Sequence, residues 1–375
     1  MKVVLDARYL NAPGSGIGTY TANLLDQLLQ VDQTTRYGLV TREPGLAERF
    51  DSTRCEDIVF SAPPRSNRTT YLLGRRLNKM AFDVYHSPFN ILPSYLLRPS
   101  VVTIHDIIPL IDLSLIDTNP VFKLSAGRFW RRRMIHAAER ATRIVTVSET
   151  SAAAVAEYFG PQVAERTVVT GSGISPFFLE APGDEEDAIV KRVVGGSFPY
   201  VLTVGQGSPR KNHARALQAF AEAFGSDSPI HFVLVRRIKR PDRAFDRLLR
   251  DTPVRDRVIV VGRVNEQELR ALYRSARAFF FPSIVEGFGL PIIEAMASDC
   301  PVVTTDHGAT AEVAGDAAQL CSPFDIAEMA QALRAVVNDD ELRTSLIDKG
   351  RRRVTRFDYR QCAERTLAVY RQLAR

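Results

Sequence analysis

A chain of 375 residues is too long for one ordinary hydrophobic core and sets the expectation of two domains of roughly 150 to 200 residues each. Its composition, 45% hydrophobic and 25% charged, is globular, and no apolar run approaches the roughly 18 residues of a membrane span, which excludes a membrane-embedded chain. The net charge of +6 favours anionic partners, and four dispersed cysteines (Cys55, Cys300, Cys321, Cys362) without a C-x-x-C pair suggest neither a zinc site nor a disulfide framework.

The N-terminal MKVVLDARYLNAP reads straight into a strand with no signal-peptide pattern, so a cytoplasmic location is expected. Short β-branched runs then alternate with amphipathic stretches, the pattern of βαβ units around parallel sheets. Strands are predicted at 1–7, 36–41, 57–61, 83–88, 100–106, 143–149 and 166–173, with helices at 18–30 and 150–160. Residues 178–198, rich in acid, Gly and Pro at their start, read as a linker between a domain at 1–177 and a second at 199–356. The second series has strands at 200–205, 230–236, 257–262, 278–283, 301–306 and near 317–323, with helices at 212–225, 265–276 and after the glycines that follow the fourth strand. The tail, 357–375, is helical, with Phe357, Ala363, Leu367, Tyr370 and Leu373 on about one face. The expected fold class is therefore α/β, with two doubly wound domains. Ligands of such sheets sit beyond the C-terminal strand ends, so motifs just after strands carry the functional interest.

Four such motifs stand out. In FPSIVEGFGLPIIEAMASDC, 281–300, a strand ends at Pro282, and Gly287 and Gly289 let backbone approach a ligand, with the amides of Phe288, Gly289 and Leu290 turned outward. Pro291 suits a helix start whose dipole favours an anion, and Glu294 is expected in that first turn. By spacing alone, a Gly-rich turn with Glu294 capping and Glu286 solvated is the competing reading. In TVGQGSPRKN, 203–212, Arg210 and Lys211 lie between a strand and a helix, where two cations would neutralise a diphosphate; solvated helix-start cations are the alternative. The loop LNAPGSGIGTYTANLL is not a dinucleotide fingerprint, because G-x-G-x-x-G read from Gly14 needs glycine where Thr19 stands, and no Walker motif occurs. VVTIHDIIP places His105 and Asp106 at the end of an apolar strand, where a histidine is more often structural. Two basic stretches, RSNRTTYLLGRRLNK at 65–79 and RFWRRRMIHAAERATR at 128–143, interleave cations with aromatic and leucine residues. Contact with an anionic bilayer and a merely solvated face are both open for them, and no nucleic-acid-binding module is visible. With no D-x-D and dispersed His and Cys residues, a metal-bridged diphosphate is not expected.

Taken together with GSGIGTYTANLL, SVVTIHDIIPL, RIVTVSE, SPRKNHARALQAF and PVVTTDHGATAEVAGDAA, in that order, the 281–300 stretch resembles the donor-site signature of the family-four retaining glycosyltransferases over essentially the whole chain. The resemblance implies a GT-B fold of two facing Rossmann-like domains with an interdomain cleft. Residues 1–177 would bind the acceptor, 199–356 the nucleotide sugar, and the 357–375 helix would return toward the first domain. It implies donor contacts from Gly16, Gly18, Gly205, Arg210, Lys211, Gly287, Phe288, Gly289 and Leu290, with Glu286 on sugar hydroxyls and Glu294 on the ribose. It also makes His105, reaching the transferred sugar, and Asp106 catalytic with Arg210, Lys211 and Glu286. The family often has an acid where Ser208 stands and in some members an arginine near Gln206, so the phosphate contact here is expected from Arg210 and Lys211 alone. Glu286 as a covalent nucleophile is the analogy with two-carboxylate glycosidases. The family pattern implies instead a same-face reaction in which the leaving diphosphate takes the acceptor proton.

The implied activity is retaining transfer of a hexose from a nucleotide sugar to a glycan or lipid-linked glycan, with no metal and no cofactor, at the inner face of the membrane where the acceptor is lipid-linked. The VTIHDIIP and PRKNH forms are similar to bacterial mannosyltransferases of polysaccharide and O-antigen (lipopolysaccharide) assembly, which makes GDP-mannose the first choice of donor. A UDP- or dTDP-sugar transferase (glucosyl, N-acetylhexosaminyl or rhamnosyl) and a nucleotide-sugar epimerase of similar architecture are the alternatives.

Overall fold

The computed structural model describes residues 1–10, 16–117, 119, 123–237 and 242–374. Residues 11–15 of the Gly-rich loop and 238–241 of the basic loop after the 230–236 strand lie outside them.

Runs such as KVVLD, SVVTI, AFFF and VVTT leave hardly a polar side chain for solvent, the pattern of parallel strands covered on both faces. They pair accordingly. The first sheet holds β1 (Lys2–Asp6), β2 (Arg36–Thr41), β3 (Cys55–Val59), β4 (Val84–Ser87), β5 (Ser100–Ile104), β6 (Arg143–Thr146) and β7 (Thr167–Val169), in the order β3-β2-β1-β4-β5-β6-β7. Its centre is set by Leu5, which stands opposite Leu39 on one side and His86 on the other. The second sheet holds β8 (Tyr200–Gln206), β9 (His231–Arg237), β10 (Val258–Val261), β11 (Ala278–Phe281), β12 (Val302–Thr305) and β13 (Ala318–Cys321), in the order β10-β9-β8-β11-β12-β13. Every pairing is parallel. Both orders reverse direction beside the first strand of the unit, between β1 and β4 and between β8 and β11. Those reversals are the topological switch points at which doubly wound sheets bind ligands.

Two units result, Met1–Ile111 with Pro120–Gly173 and Asp358–Arg375, and Asp112–Asn119 with Ile174–Phe357. Leu73, Tyr85, Val102, Met134 and Ile144 are among the buried core of the first, and Leu217, Phe220, Phe232, Phe280 and Leu333 among that of the second. Burying a side chain of this size contributes about 1.5 to 3 kcal/mol.

The structure moves two sequence boundaries. The stretch 178–198 is not a free linker but part of the second unit: Glu186–Val194 forms a helix ended by Gly195 in the left-handed region (φ 80). Ile189, Val190 and Val194 of that helix are buried, and Glu186 lies 2.5 Å from Arg274 and 3.4 Å from Arg270. Acid content signals a solvated connector only when no arginine is placed to receive it. The short segment Asp112–Asn119 also groups with the second unit.

Helix α1 (Gly16–Val31) packs in the first unit against the last helix of the chain, Tyr359–Leu373. The face that the latter buries is Tyr359, Cys362, Ala363, Thr366, Leu367 and Tyr370. Phe357 precedes this helix and Leu373 is half-buried, so the predicted stripe holds only at its centre. Gly173, after β7, lets the start of this last helix lie close, since a Cβ there would lie 2.4 Å from the Tyr359 nitrogen. All four cysteines are buried free thiols. Among the described residues no helix is long and apolar enough to cross a membrane.

Candidate active site

At the switch point of the second sheet, the loops after β8 and β11 are tied together before any charged side chain is considered. After Gln206 the chain passes through Gly207, Ser208 and a single 3₁₀ turn, Pro209–Lys211, to Asn212 in the left-handed region (φ 60), which asparagine tolerates better than most residues. Helix α2 (His213–Phe224) follows. The Asn212 amide donates to the Pro282 carbonyl at 3.0 Å and the Pro323 carbonyl at 2.7 Å, joining the loops after β8, β11 and β13. The Ile284 amide donates to the Arg210 carbonyl at 2.8 Å.

This frame brings Arg210, Lys211 and Glu286 together. Lys211 Nζ lies 2.6 Å from Glu286 Oε1 and 4.4 Å from the centre of the Phe281 ring. Arg210 Nη1 donates to the other carboxylate oxygen, Oε2, and to the Val285 carbonyl at 3.4 Å. The side chains of Lys211 and Glu286 are each 9% exposed, and that of Arg210 is 22% exposed. Burial alone favours a protonated Glu286, but Arg210 and Lys211 outweigh it and hold the carboxyl well below the usual range. Burial in turn lowers the affinity of Lys211 for its proton, against the pull of Glu286. A divalent anion entering here meets two cations whose orientation is already fixed.

Gly205 acts from behind. A Cβ at that position would stand 3.0 Å from His213 Nε2 and 3.2 Å from Lys211 Cδ, so glycine is what lets Lys211 lie along the end of β8. His213 Nδ1 accepts from Arg236 Nε at 3.2 Å, which puts the imidazole proton on Nε2, and burial followed by Arg236 and Lys211 pushes its pKa down to about 3. Arg236, 3% exposed at the end of β9, pairs with Asp242, and its guanidinium lies 4.0 Å from the centre of the Phe245 ring. The Arg236–His213 support was not among the predicted site residues. The pair Arg236–Arg237 closing β9, followed by Asp242 at a helix start, is the available signal.

On the β11 side the loop continues through Gly287, Phe288 and Gly289 into α3 (Leu290–Ala297). Gly289 has φ 113, a backbone conformation that residues with a Cβ rarely adopt, and Phe288 is buried edge-on against Phe357 with ring centres 5.6 Å apart. Pro291 stands at the helix start as expected. Glu294 does not: it is the fifth residue of α3, beyond the first turn, and so neither caps the helix nor sits at its first amides. It meets Tyr273 instead, on the helix Glu266–Ser275, whose hydroxyl donates to Glu294 Oε2 at 3.2 Å.

Burial raises Glu294 from 4.5 to about 7, with the Tyr273 bond opposing the shift. Between those values the folded chain holds a proton that the unfolded chain has lost, so stability falls as pH rises through this window and the loss is complete above it. Glu294→Gln carries no such proton. Its melting temperature relative to the parent is expected to rise between pH 5 and pH 8, corresponding to about 2 kcal/mol. Parallel melting curves for the two proteins across that range would contradict the assignment.

In the first unit, His105 follows β5. Its Nε2 donates to the Pro88 carbonyl at 2.9 Å, its ring stands edge-on to Tyr20 with centres 4.9 Å apart, and burial lowers its pKa. Asp106 accepts from the Ile108 amide at 3.1 Å, closing the turn that follows. Gly16 and Gly18 lie in the first turn of α1, Gly18 buried and Gly16 exposed. At the switch point of this sheet a buried pair that was not predicted, Arg8 and Asp6, is joined by two bonds of 2.8 and 2.6 Å. Among the described residues no three His, Cys, Asp or Glu side chains converge as a metal site.

Comparison with known proteins gives a consistent result. Residues 14–176 match the family model Glycosyltransferase Family 4, and residues 184–353 match Glycosyl transferases group 1. The O-antigen chain mannosyltransferase B of Escherichia coli is 25% identical over the full length of both chains. The MMP alpha-(1->4)-mannosyltransferase of Mycolicibacterium hassiacum is 27% identical over 66% of this chain and 61% of its own length. Among solved structures, sucrose-phosphate synthase from Thermosynechococcus elongatus superposes with a TM-score of 0.77 at 20% identity, covering 100% of this chain and 99% of its own. HepE of Anabaena in complex with UDP-glucose gives 0.74 at 18% identity, covering 100% of each chain. The two parallel-sheet, Rossmann-like units are those of the GT-B fold. The chain belongs to the glycosyltransferases, with a Glycosyltransferase Family 4 domain followed by a glycosyl transferases group 1 domain.

Proposed function

We propose that this glycosyltransferase moves a hexose, mannose from GDP-mannose in the first instance, to a glycan or lipid-linked glycan with retention of configuration and without a metal ion. The observation that carries the reading is the convergence of Arg210 and Lys211 on Glu286 at the β8/β11 switch point. A diphosphate arriving there competes with Glu286 for both cations. The carboxylate, kept anionic by them, is then available to accept hydrogen bonds from hydroxyls of the sugar attached to that diphosphate. The N-terminus of α3 adds about 0.3 to 1 kcal/mol for an exposed anion and up to about 2 for a partly buried one. Glu294, on the same helix, is the group for the ribose. Preorganised charge then stabilises the leaving diphosphate, one of whose oxygens takes the acceptor proton. For the first unit we propose acceptor binding, with His105 and Asp106 after β5 as its reactive edge.

A nucleotide-sugar donor is supported by the UDP-glucose complex of the Anabaena structural neighbour, and mannose by the activities named for the Escherichia coli and Mycolicibacterium relatives. Incubation with a panel of GDP-, UDP- and dTDP-sugars, with free nucleotide and free sugar followed over time, tests the donor. Turnover of GDP-mannose above the rest is the expected result. Turnover of UDP- or dTDP-sugars alone would overturn the mannose assignment, and conversion of a donor to its epimer without transfer would overturn the transferase mechanism.

A further inference from the structure

We propose that the face of the first unit built from residues 65–79, 94–98 and 128–140 docks on an anionic lipid bilayer. The three stretches are distant in sequence and joined in space. Asn78 Nδ2 donates to the Tyr95 carbonyl at 2.6 Å, and its Oδ1 accepts from the Leu97 amide at 3.0 Å. Arg133, on the helix Arg128–Arg140, lies 4.9 Å from the centre of the Tyr71 ring. His136 of that helix stands 3.4 Å from Ser94 Oγ.

What this face presents is a mixture of cations and apolar tips. Along the helical stretch beginning at Arg68, the outward positions are Arg68, Tyr71, Leu72, Arg75, Arg76 and Lys79, at i, i+3, i+4, i+7, i+8 and i+11, all exposed. Thr69, Thr70, Leu73, Gly74 and Leu77 turn inward and are buried. A helix that only needs to be solvated carries both signs of charge on its outer face; an interfacial one carries cations among aromatic and aliphatic residues. In the three stretches together Glu139 is the single acidic residue against eleven Arg and Lys. Tyr71 is 45% exposed, Leu72 44%, Tyr95 56% and Leu97 83%.

The presentation is built into the fold. Tyr95 has φ 62, a left-handed conformation that is strained for an aromatic residue, and it is held there by Asn78 and by the guanidinium of Arg75, 4.5 Å from its ring centre. Gly74 allows the 94–98 segment to ride on the helical stretch, since a Cβ there would lie 2.3 Å from the Ser94 carbonyl oxygen. Beside Tyr95 a cleft of about 750 Å³ is lined by Arg98, Arg140, His136, Ser94 and Thr142, cations and hydroxyls suited to a phosphate headgroup.

Co-sedimentation of the full chain with vesicles tests this without any enzymatic assay, so its failure is separate from failure of the donor assignment. The parent is expected to partition onto phosphatidylcholine vesicles containing phosphatidylglycerol, not onto phosphatidylcholine alone, and to be released by salt. Arg68→Glu with Arg132→Glu, both at exposed positions, is expected to lower that partition about tenfold or more at unchanged melting temperature. Leu72→Ser with Leu97→Ser should weaken binding while leaving its salt dependence in place. No partition onto the anionic vesicles, or undiminished partition of the charge-reversed variant, would overturn the proposal. So would binding to a soluble polyanion such as heparin without vesicle binding.

Discussion

Lys211→Ala is expected to lower the rate of sugar transfer by about 10²- to 10³-fold, with a smaller change in donor KM. The lysine is nearly buried, 2.6 Å from Glu286, and lies over the Phe281 ring, so its charge is already desolvated and oriented where, on the proposed mechanism, a diphosphate leaves. A cation so placed acts most on the state with most charge on the leaving group, which is the transition state, and its loss therefore appears mainly in kcat. Arg210 does not substitute for it, being tied to the opposite carboxylate oxygen and to Val285. Lys211→Arg is expected to recover little, because a planar, wider guanidinium replaces a compact ammonium in the nearly buried position between Glu286 and the Phe281 ring. Steady-state kinetics with a melting curve for each variant checks this. A fall in rate that merely tracks loss of folded protein would leave Lys211 a structural partner of Glu286 and nothing more.

Glu286→Gln separates two roles of one carboxylate. Glu286 neutralises Arg210 and Lys211 until, on the proposed mechanism, a diphosphate replaces it and the carboxylate turns to sugar hydroxyls. The glutamine no longer competes for the cations, so free nucleoside diphosphate is expected to bind as tightly as to the parent or several-fold more tightly. Transfer should nonetheless fall by about 10²-fold, because charge-assisted bonds to the sugar are roughly twice as strong as neutral ones. Were Glu286 a covalent nucleophile, the glutamine variant would be inactive, and Glu286→Ala, which leaves room for a small external nucleophile such as azide, would regain turnover in its presence. Weaker nucleoside diphosphate binding, in proportion to the lost rate, would contradict the exchange of partners.

Much of this architecture is legible in the chain itself. The strands of the described residues stand where the sequence places strands, and the inner ones, such as β1, β5, β11 and β12, do so because a parallel strand covered on both faces has no competing pattern. The edge strand β3 begins at Cys55, earlier than its apolar run, since its register is fixed by the pairing of Tyr37 with Cys55 rather than by burial. The motifs after β8 and β11 were recognisable by position, and strand order explains why they meet. Their pairing was not legible. Nothing in PRKN or IVEGFG says that one carboxylate holds both cations, which depends on the Asn212 ties to Pro282 and Pro323 across long sequence separations. Nor does spacing distinguish a first-turn glutamate from one a turn further on that faces Tyr273; the placement of Gly289 decides that. The helix Glu186–Val194 is hidden in the sequence by its acids, because the arginines that receive Glu186, Arg270 and Arg274, lie far along the chain.

If the second unit holds the donor's diphosphate with its own cations, Arg210 and Lys211, then a nucleoside diphosphate needs no metal to bind. Titration calorimetry of a nucleoside diphosphate into the full chain in EDTA tests this most directly. The expected result is binding with the same Kd in EDTA as in magnesium, weakened about 10²-fold or more in Arg210→Ala/Lys211→Ala, since each charge-assisted bond is worth about 1.5 to 3 kcal/mol. Binding that requires the metal, or that survives the double substitution, would contradict it.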